Sequence, residues 1–303
     1  ISLGGGRNVI FVTTALLLIP AIGTGIALSN INSPYLFFAI MALLSGFGGG
    51  NFSSSMSNIS FFFPKKMQGY ALGMNAGLGN LGVAVMQKAI PFIVTFSLFG
   101  GTMGAIATAK GAPFEGLQNA AWIWVPLIAF SSLLAFFRMN NVSTGTPNLP
   151  NTITGVSKTL YLVMLGLVAA GVGAFMLIGI PWENFGMKNS SMWVVLPVVI
   201  ILAVQLMKHA TPSDIKENLK KQFSILGDKH NWIMTVIYTM TFGSFIGYAM
   251  VFPKLAQDIF VYSNPLDPEW VNPNAPSIML WAFLGPMFGA LVRPIGGMIA
   301  DKV

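Results

Sequence analysis

The chain has 303 residues, 54% hydrophobic and only 8% charged, with 33 Gly, 24 Phe, 18 Met and no Cys, and its mean hydropathy is +0.71. Soluble domains carry about 25% charged residues, so the composition excludes an ordinary soluble enzyme, a disordered chain and a disulfide scaffold, and the missing thiols exclude Cys-based redox and metal chemistry. The net charge of +7 does not point to nucleic acid, because the basic residues lie in short loops between apolar runs; the pattern is that of a polytopic membrane protein.

A membrane span needs about 20 apolar residues, and eight runs qualify: 8–29, 34–63, 68–99, 118–137, 159–180, 192–208, 231–252 and 277–299. Runs of this length predict helices, which satisfy their own backbone in lipid. The runs 34–63 and 68–99 exceed a bilayer and must tilt or project. The run 192–208 is short and carries Pro197. The segments 140–155 and 262–276, rich in Pro and small polar residues, predict loops. Between 213 and 229, Ile215, Leu219, Phe223 and Leu226 recur at helical spacing with lysines opposite. That predicts an amphipathic helix on the cytoplasmic membrane face, with Asp214 as cap, Glu217 three residues on and Gly227 as stop; a regulatory partner site is the alternative use.

With the N-terminus placed in the cytoplasm, Arg7, Lys65, Lys66, Arg138, Lys158, Lys208, Lys216, Lys220, Lys221, Lys229 and Lys302 fall inside, and only Lys110, Lys188 and Lys254 outside. This bias matches the positive-inside rule. The chain starts at Ile1 in a Gly-rich turn and stops at Val303 just after an apolar run, so a piece of a longer protein is expected.

Charge inside the spans is rare and therefore informative. Asp and Glu are absent from all eight runs. Arg293 lies eight residues before Asp301, roughly 12 Å inside the cytoplasmic end, where an Arg is costly and marks a functional site by default. Gly285, Gly289, Arg293, Gly297 and Asp301 recur every four residues, a small-residue face turned to neighbouring helices; a purely structural Arg bonded to carbonyls is the alternative. Lys88, near the outer end of its run, reads as a snorkelling side chain. Counted from the cytoplasmic ends, Tyr238 is roughly 12 Å deep, Asn80 and Phe242 roughly 18 Å, and Phe52 roughly 20 Å, the level at which transporter sites lie. Gly69, Gly73 and Gly77 form a GxxxG ladder for close helix approach, and Gly46, Gly48 to Gly50, Ser53 to Ser55 and Ser57 a second small-residue surface. The GxGxxG at Gly77, Gly79 and Gly82 has no βαβ unit around it. No P-loop, metal cluster or nucleophile triad is found, and no cofactor or metal is expected.

GFGGGNFSSSMSNISFFFPKK (46–66) followed by GMNAGLGNLGVAVMQ (73–87) resembles the signature region of the nitrate/nitrite porter family in the major facilitator superfamily. NAAWIWVP (119–126), TFGSFIGYA (241–249) and GPMFGALVRPIGGMIADK (285–302) look like its following helices, and the last ends in the superfamily's GxxxD(R/K) loop motif. The resemblance implies an all-α polytopic bundle, a partial major-facilitator fold running from the loop after helix 2 to the loop after helix 8. It divides the chain into helices 3–6 of the first half (1–138), an inserted pair of spans (139–212), a cytoplasmic amphipathic linker (213–230) and helices 7–8 of the second half (231–303). Family members have a short loop where 139–212 stands.

By position, the resemblance implies Arg293 as the substrate arginine, Asn80 as the helix 5 asparagine, Tyr238 and Phe242 as the helix 7 aromatics and Gly49 and Phe52 from helix 4; Ala76 stands where the family often has glycine. The family's partner arginine in helix 2 has no counterpart here. A multi-pass protein of the inner membrane, monomeric, carrying nitrate and nitrite, is implied, with no nucleic acid involved. Intramembrane Asp, Glu or His usually carries proton coupling, and its absence leans toward nitrate/nitrite exchange. Proton symport and another small anion are the alternatives. A membrane-embedded enzyme would need carboxylates or a nucleophile that the runs lack.

Overall fold

The computed structural model describes residues 1–30, 32–96, 106–107, 113–114, 116–146, 148, 150–178, 191–262 and 270–302. The predicted outer-loop residues Lys110 and Lys188 lie outside these, as do 97–99, 179–180 and 263–269 of the predicted segments. In chain order the main helices are α1 (Gly6–Leu28), α2 (Tyr35–Phe62), α3 (Gln68–Ile93), α4 (Asn119–Arg138), α5 (Thr152–Ile178), α6 (Met192–His209), α7 (Ser213–Phe223), α8 (Lys229–Ala256) and α9 (Leu284–Ala300). Short helical turns at Lys65–Met67, Ser224–Gly227, Gln257–Val261 and Ile278–Leu280 and one two-residue antiparallel pair, Ile106–Ala107 with Pro113–Phe114, are further regular elements among the described residues.

The chain is an all-α membrane bundle. Among the described residues six helices are long and apolar enough to cross a membrane: α1, α2, α4, α5, α6 and α8 extended to Val261. The other two expected spans are helical but fall outside that group: α3 is 26 residues long and dense in Gly and amide side chains, and α9 has 17 residues. Large apolar side chains point outward on the long helices, with Trp193 85% exposed, Ile153 79% and Phe137 72%. Water tolerates no such continuous surface; acyl chains do.

Two local expectations are corrected. The predicted loop 140–155 ends early, because α5 begins at Thr152. Asn151 is the cause: its side-chain oxygen accepts the Thr154 N–H at 2.8 Å, an N-cap that starts the helix before the apolar run. Asp214 does not cap α7. Pro212 occupies the cap position, and Asp214 lies inside the first turn with its carboxylate on Lys158 at 2.5 Å. The Gly227 stop is reached through a 3₁₀ turn, Ser224–Gly227.

The described residues form two compact units, Ile1–Phe62 with Ala121–Gly227, and Phe63–Ala120 with Asp228–Val303. In the first, α1 packs on α2, α4 and α5, and α5 packs on α6. The chain enters α1 through Gly5, whose φ of 84° suits glycine. Gly25 lets Trp122 lie flat on α1, since a Cβ there would be 2.6 Å from the indole. Asn51 of α2 clasps α1 twice, accepting from the Thr13 hydroxyl and donating to the Thr14 hydroxyl, both at 3.0 Å.

In the second unit α3 and α9 form the principal packing pair. Asn119, fully buried, donates to the Phe96 carbonyl at 2.6 Å and fastens the chain leaving α3 to the start of α4. Gln87 of α3 donates to the Ala249 carbonyl of α8 at 2.7 Å. That carbonyl is available because Pro253, four residues on, has no N–H to give it.

Candidate functional site

The close contact of α3 with α9 follows from three glycines one turn apart. A Cβ on Gly69, Gly73 or Gly77 would lie 2.7, 2.7 and 2.6 Å from the carbonyl oxygens of Gly297, Arg293 and Ala290. Only hydrogen fits, so backbone meets backbone. The Ala290 carbonyl is again one that a proline leaves free, here Pro294. At the start of α3, the Asp301 carboxylate accepts the Gly69 and Tyr70 N–H groups, both at 2.7 Å, capping the helix from another helix. A carboxylate at a helix N-terminus also meets the positive end of its dipole.

This contact fixes the main chain of Arg293 against Gly73, and its side chain reaches α8. The guanidinium lies over Phe242 and Phe245, 5.2 and 5.1 Å from the ring centroids. Tyr238 stacks on Phe242 at 5.0 Å with an interplanar angle of 6°. The three rings recur at i, i+4 and i+7, one face of α8. Gly289 makes room for the last, since a Cβ there would be 2.5 Å from the Phe245 ring. The expected four-residue face of α9 is thus divided: Gly297 and Asp301 serve α3, Gly289 serves Phe245, and a Cβ on Gly285 would meet nothing within 4 Å.

Arg293 is half-buried. An aromatic flank holds a guanidinium through its face, worth about 0.5–2 kcal/mol per ring, and leaves N–H edges free to donate in the plane. A planar fork of this kind suits an oxyanion with two acceptor oxygens. Asn80 and Ala76 sit on the buried side of α3, and the Asn80 amide donates to the Ala76 carbonyl at 2.7 Å. Among the described residues this amide's hydrogen bond goes to its own helix rather than to Arg293. Gly49 and Phe52 belong to α2 in the first unit, where Phe52 is half-buried and Gly49 borders open space. Lys88 is exposed toward the C-terminal end of α3 with its ammonium 5.3 Å from the Phe283 ring centroid.

No protein-family profile matches the chain. The chain is 33% identical over 303 residues to the probable nitrate/nitrite antiporter NarK2 of Thermus thermophilus, 99% of this chain and 50% of that protein. It is also 33% identical to the nitrate/nitrite transporters NarU of Escherichia coli, over 301 residues, and of Salmonella typhimurium, over 307. By sequence, this chain is a relative of the nitrate/nitrite porters. It spans about half the length of the curated relatives it matches, 46–50% of each.

Of the porter residues expected from sequence, the structure brings Arg293, Phe242 and Tyr238 together. Phe245 and Gln87 were not singled out; Gly289 was placed on the small-residue face of α9, without its ring partner. The seven-residue step from Tyr238 to Phe245 was a readable signal for the first. Nothing in the local pattern marks Gln87, whose acceptor is created by a proline 166 positions away.

Proposed function

We propose that this chain forms part of a carrier for nitrate and nitrite in the inner membrane, working by alternating access. The observation that carries the reading is one guanidinium laid over two phenylalanine rings; in this proposal it lies at a membrane depth where charge is expensive. The names of the relatives support nitrate and nitrite as the anions. In this proposal Arg293 binds the anion through two parallel N–H donors, and Phe242 and Phe245 hold the fork. Tyr238 and Asn80 donate further hydrogen bonds, and Gly49, Phe52 and Ala76 line the path. The segment 139–212 contributes two spans inserted between the halves, and the protein acts as a monomer.

Exchange of nitrate for nitrite is favoured over proton symport, because the runs contain no intramembrane Asp or Glu to carry a proton. The test is labelled-nitrate uptake into proteoliposomes of the full reading frame. Nitrite inside should stimulate uptake severalfold, and a pH gradient without internal nitrite should not. Arg293→Ala should lower uptake at least about thirtyfold, the usual scale for deleting one member of a desolvated ion pair. Arg293→Lys should fall well short of wild type, because an ammonium lacks the fork. Near-normal transport by Arg293→Ala refutes the site, and uptake driven by the pH gradient alone refutes exchange.

A further inference from the structure

In the first unit, the end of α6 and the helix α7 enclose a groove of about 690 Å³. The turn between them is short, since α6 ends at His209 and α7 begins at Ser213. Helix α7 is fastened on its far side: Lys158 of α5 pairs with Asp214, the Tyr161 hydroxyl donates to the Ala210 carbonyl, and Ile215 is buried. The groove is therefore a built feature rather than a gap beside a loose helix.

Its lining is divided by chemistry. Leu219 and Phe223 form an apolar wall, and Lys208, Lys216 and Lys220 carry the charge, with His209 beside them. The Lys208 ammonium stands 5.7 Å from the Phe223 ring centroid, so cation and wall adjoin. Glu217 is the one carboxylate in the lining, and Asp214 is occupied by Lys158. Three lysines facing one carboxylate select an anion. A wall of Leu and Phe, at the end of a membrane-crossing helix that the charge bias puts on the cytoplasmic side, selects an anion that carries hydrocarbon. Basic pockets at this level of a bundle suit phospholipid headgroups, and an amphipathic helix lies at the same depth.

We infer that the groove between α6 and α7 binds the phosphate headgroup of an anionic phospholipid from the cytoplasmic leaflet. Lys208, Lys216 and Lys220 take the phosphate, and Leu219 and Phe223 take the first part of the acyl chains. The site is remote in sequence from Arg293 and does not depend on the transport reading.

The experiment is lipid binding to the purified chain in phosphatidylcholine nanodiscs, titrated with phosphatidylglycerol and read by native mass spectrometry. The wild type should take up phosphatidylglycerol in preference to added phosphatidylcholine. Substituting Lys208, Lys216 and Lys220 together by Gln should weaken it roughly a hundredfold, at about fivefold per lysine, and substituting all three by Arg should restore it. Lys221→Gln, on the same helix but outside the lining, should change it less than about twofold. If the triple variant is misfolded by circular dichroism, the single variants Lys220→Gln and Lys221→Gln decide. Equal losses from those two would mean diffuse surface charge and overturn the inference. So would unchanged binding by a folded triple variant. Displacement of phosphatidylglycerol by an equal concentration of inorganic phosphate would also overturn it, because the groove would then be a soluble-phosphate site.

Discussion

Replacing Gly73 by Ala tests whether backbone contact between α3 and α9 holds the arginine in place. The new methyl carbon would lie 2.7 Å from the Arg293 carbonyl oxygen and 3.3 Å from Pro294 Cα. Ordinary contact begins near 3.4 Å, so the helices must part by about 0.7 Å, and no flexible side chain is present to yield. Overpacking of this kind costs about 1–3 kcal/mol. The same substitution improves intrinsic helix propensity by about 1 kcal/mol, which would obscure the effect in a single variant. Gly79→Ala removes that ambiguity: it lies on the same helix, gains the same propensity, and its Cβ would meet nothing within 4 Å. The difference between the two variants isolates the packing term, so Gly73→Ala should be less stable than Gly79→Ala by about 1–3 kcal/mol. Reversible unfolding in mixed detergent micelles, followed by circular dichroism, measures it. Because the displaced backbone is that of Arg293, Gly73→Ala should also lose anion uptake while Gly79→Ala keeps it. Equal stabilities would refute the idea that the glycine ladder sets this interface.

Phe245→Leu keeps apolar volume but removes one aromatic face from the guanidinium, and should raise the KM for nitrate by about two- to thirtyfold, matching about 0.5–2 kcal/mol, with smaller change in maximal rate. Asp301→Ala deletes two charge-assisted hydrogen bonds to the start of α3 and should cost about 2–4 kcal/mol in the same unfolding assay; Asp301→Asn, which can still accept, should cost about half as much. The Lys158 ammonium, hydrogen-bonded to Asp214, holds that carboxyl below its ordinary value of 3.8. A depressed folded-state pKa gives stability that is present above the unfolded value and lost as pH falls through the folded one. Wild type should therefore lose stability below about pH 4, and Lys158→Met should lose this part of the acid dependence.

Much of the fold was legible because lipid imposes one rule, that apolar length means a span, and the long runs stand out against 8% charge. Arg293 and Tyr238 were legible for a related reason: in a sequence this apolar, any polar group at mid-depth is conspicuous; Phe242, one of 24 phenylalanines, was picked by its depth and by the resemblance. What escaped the reading depends on partners distant along the chain. Asp214 is spaced as a helix cap, but Lys158, 56 residues earlier, takes its carboxylate. Asp301 looks like the end of a loop motif, yet it caps a helix 231 and 232 positions back. Asn151 hides in a stretch that composition marks as loop, and only the Thr154 N–H it accepts shows where α5 begins. Local spacing could specify the faces of α3 and α9 but not which face meets which.

The free carbonyls below Pro294 and Pro253 have a consequence for how this unit finds its alignment. Acyl chains solvate one apolar helix flank as well as another, so greasiness alone cannot choose between neighbouring settings of two helices. An unpaired main-chain acceptor can, because it must be met at one height. The Ala290 carbonyl stands where only a residue without a Cβ, Gly77, can lie beside it, and Ala249 presents such an acceptor to Gln87. A slip of α3 by one residue would drive the Leu78 or Ala76 side chain against the first and carry the amide away from the second. One amide that must reach its acceptor and one glycine that must face a carbonyl thus act together as a vernier on the axial setting of α3.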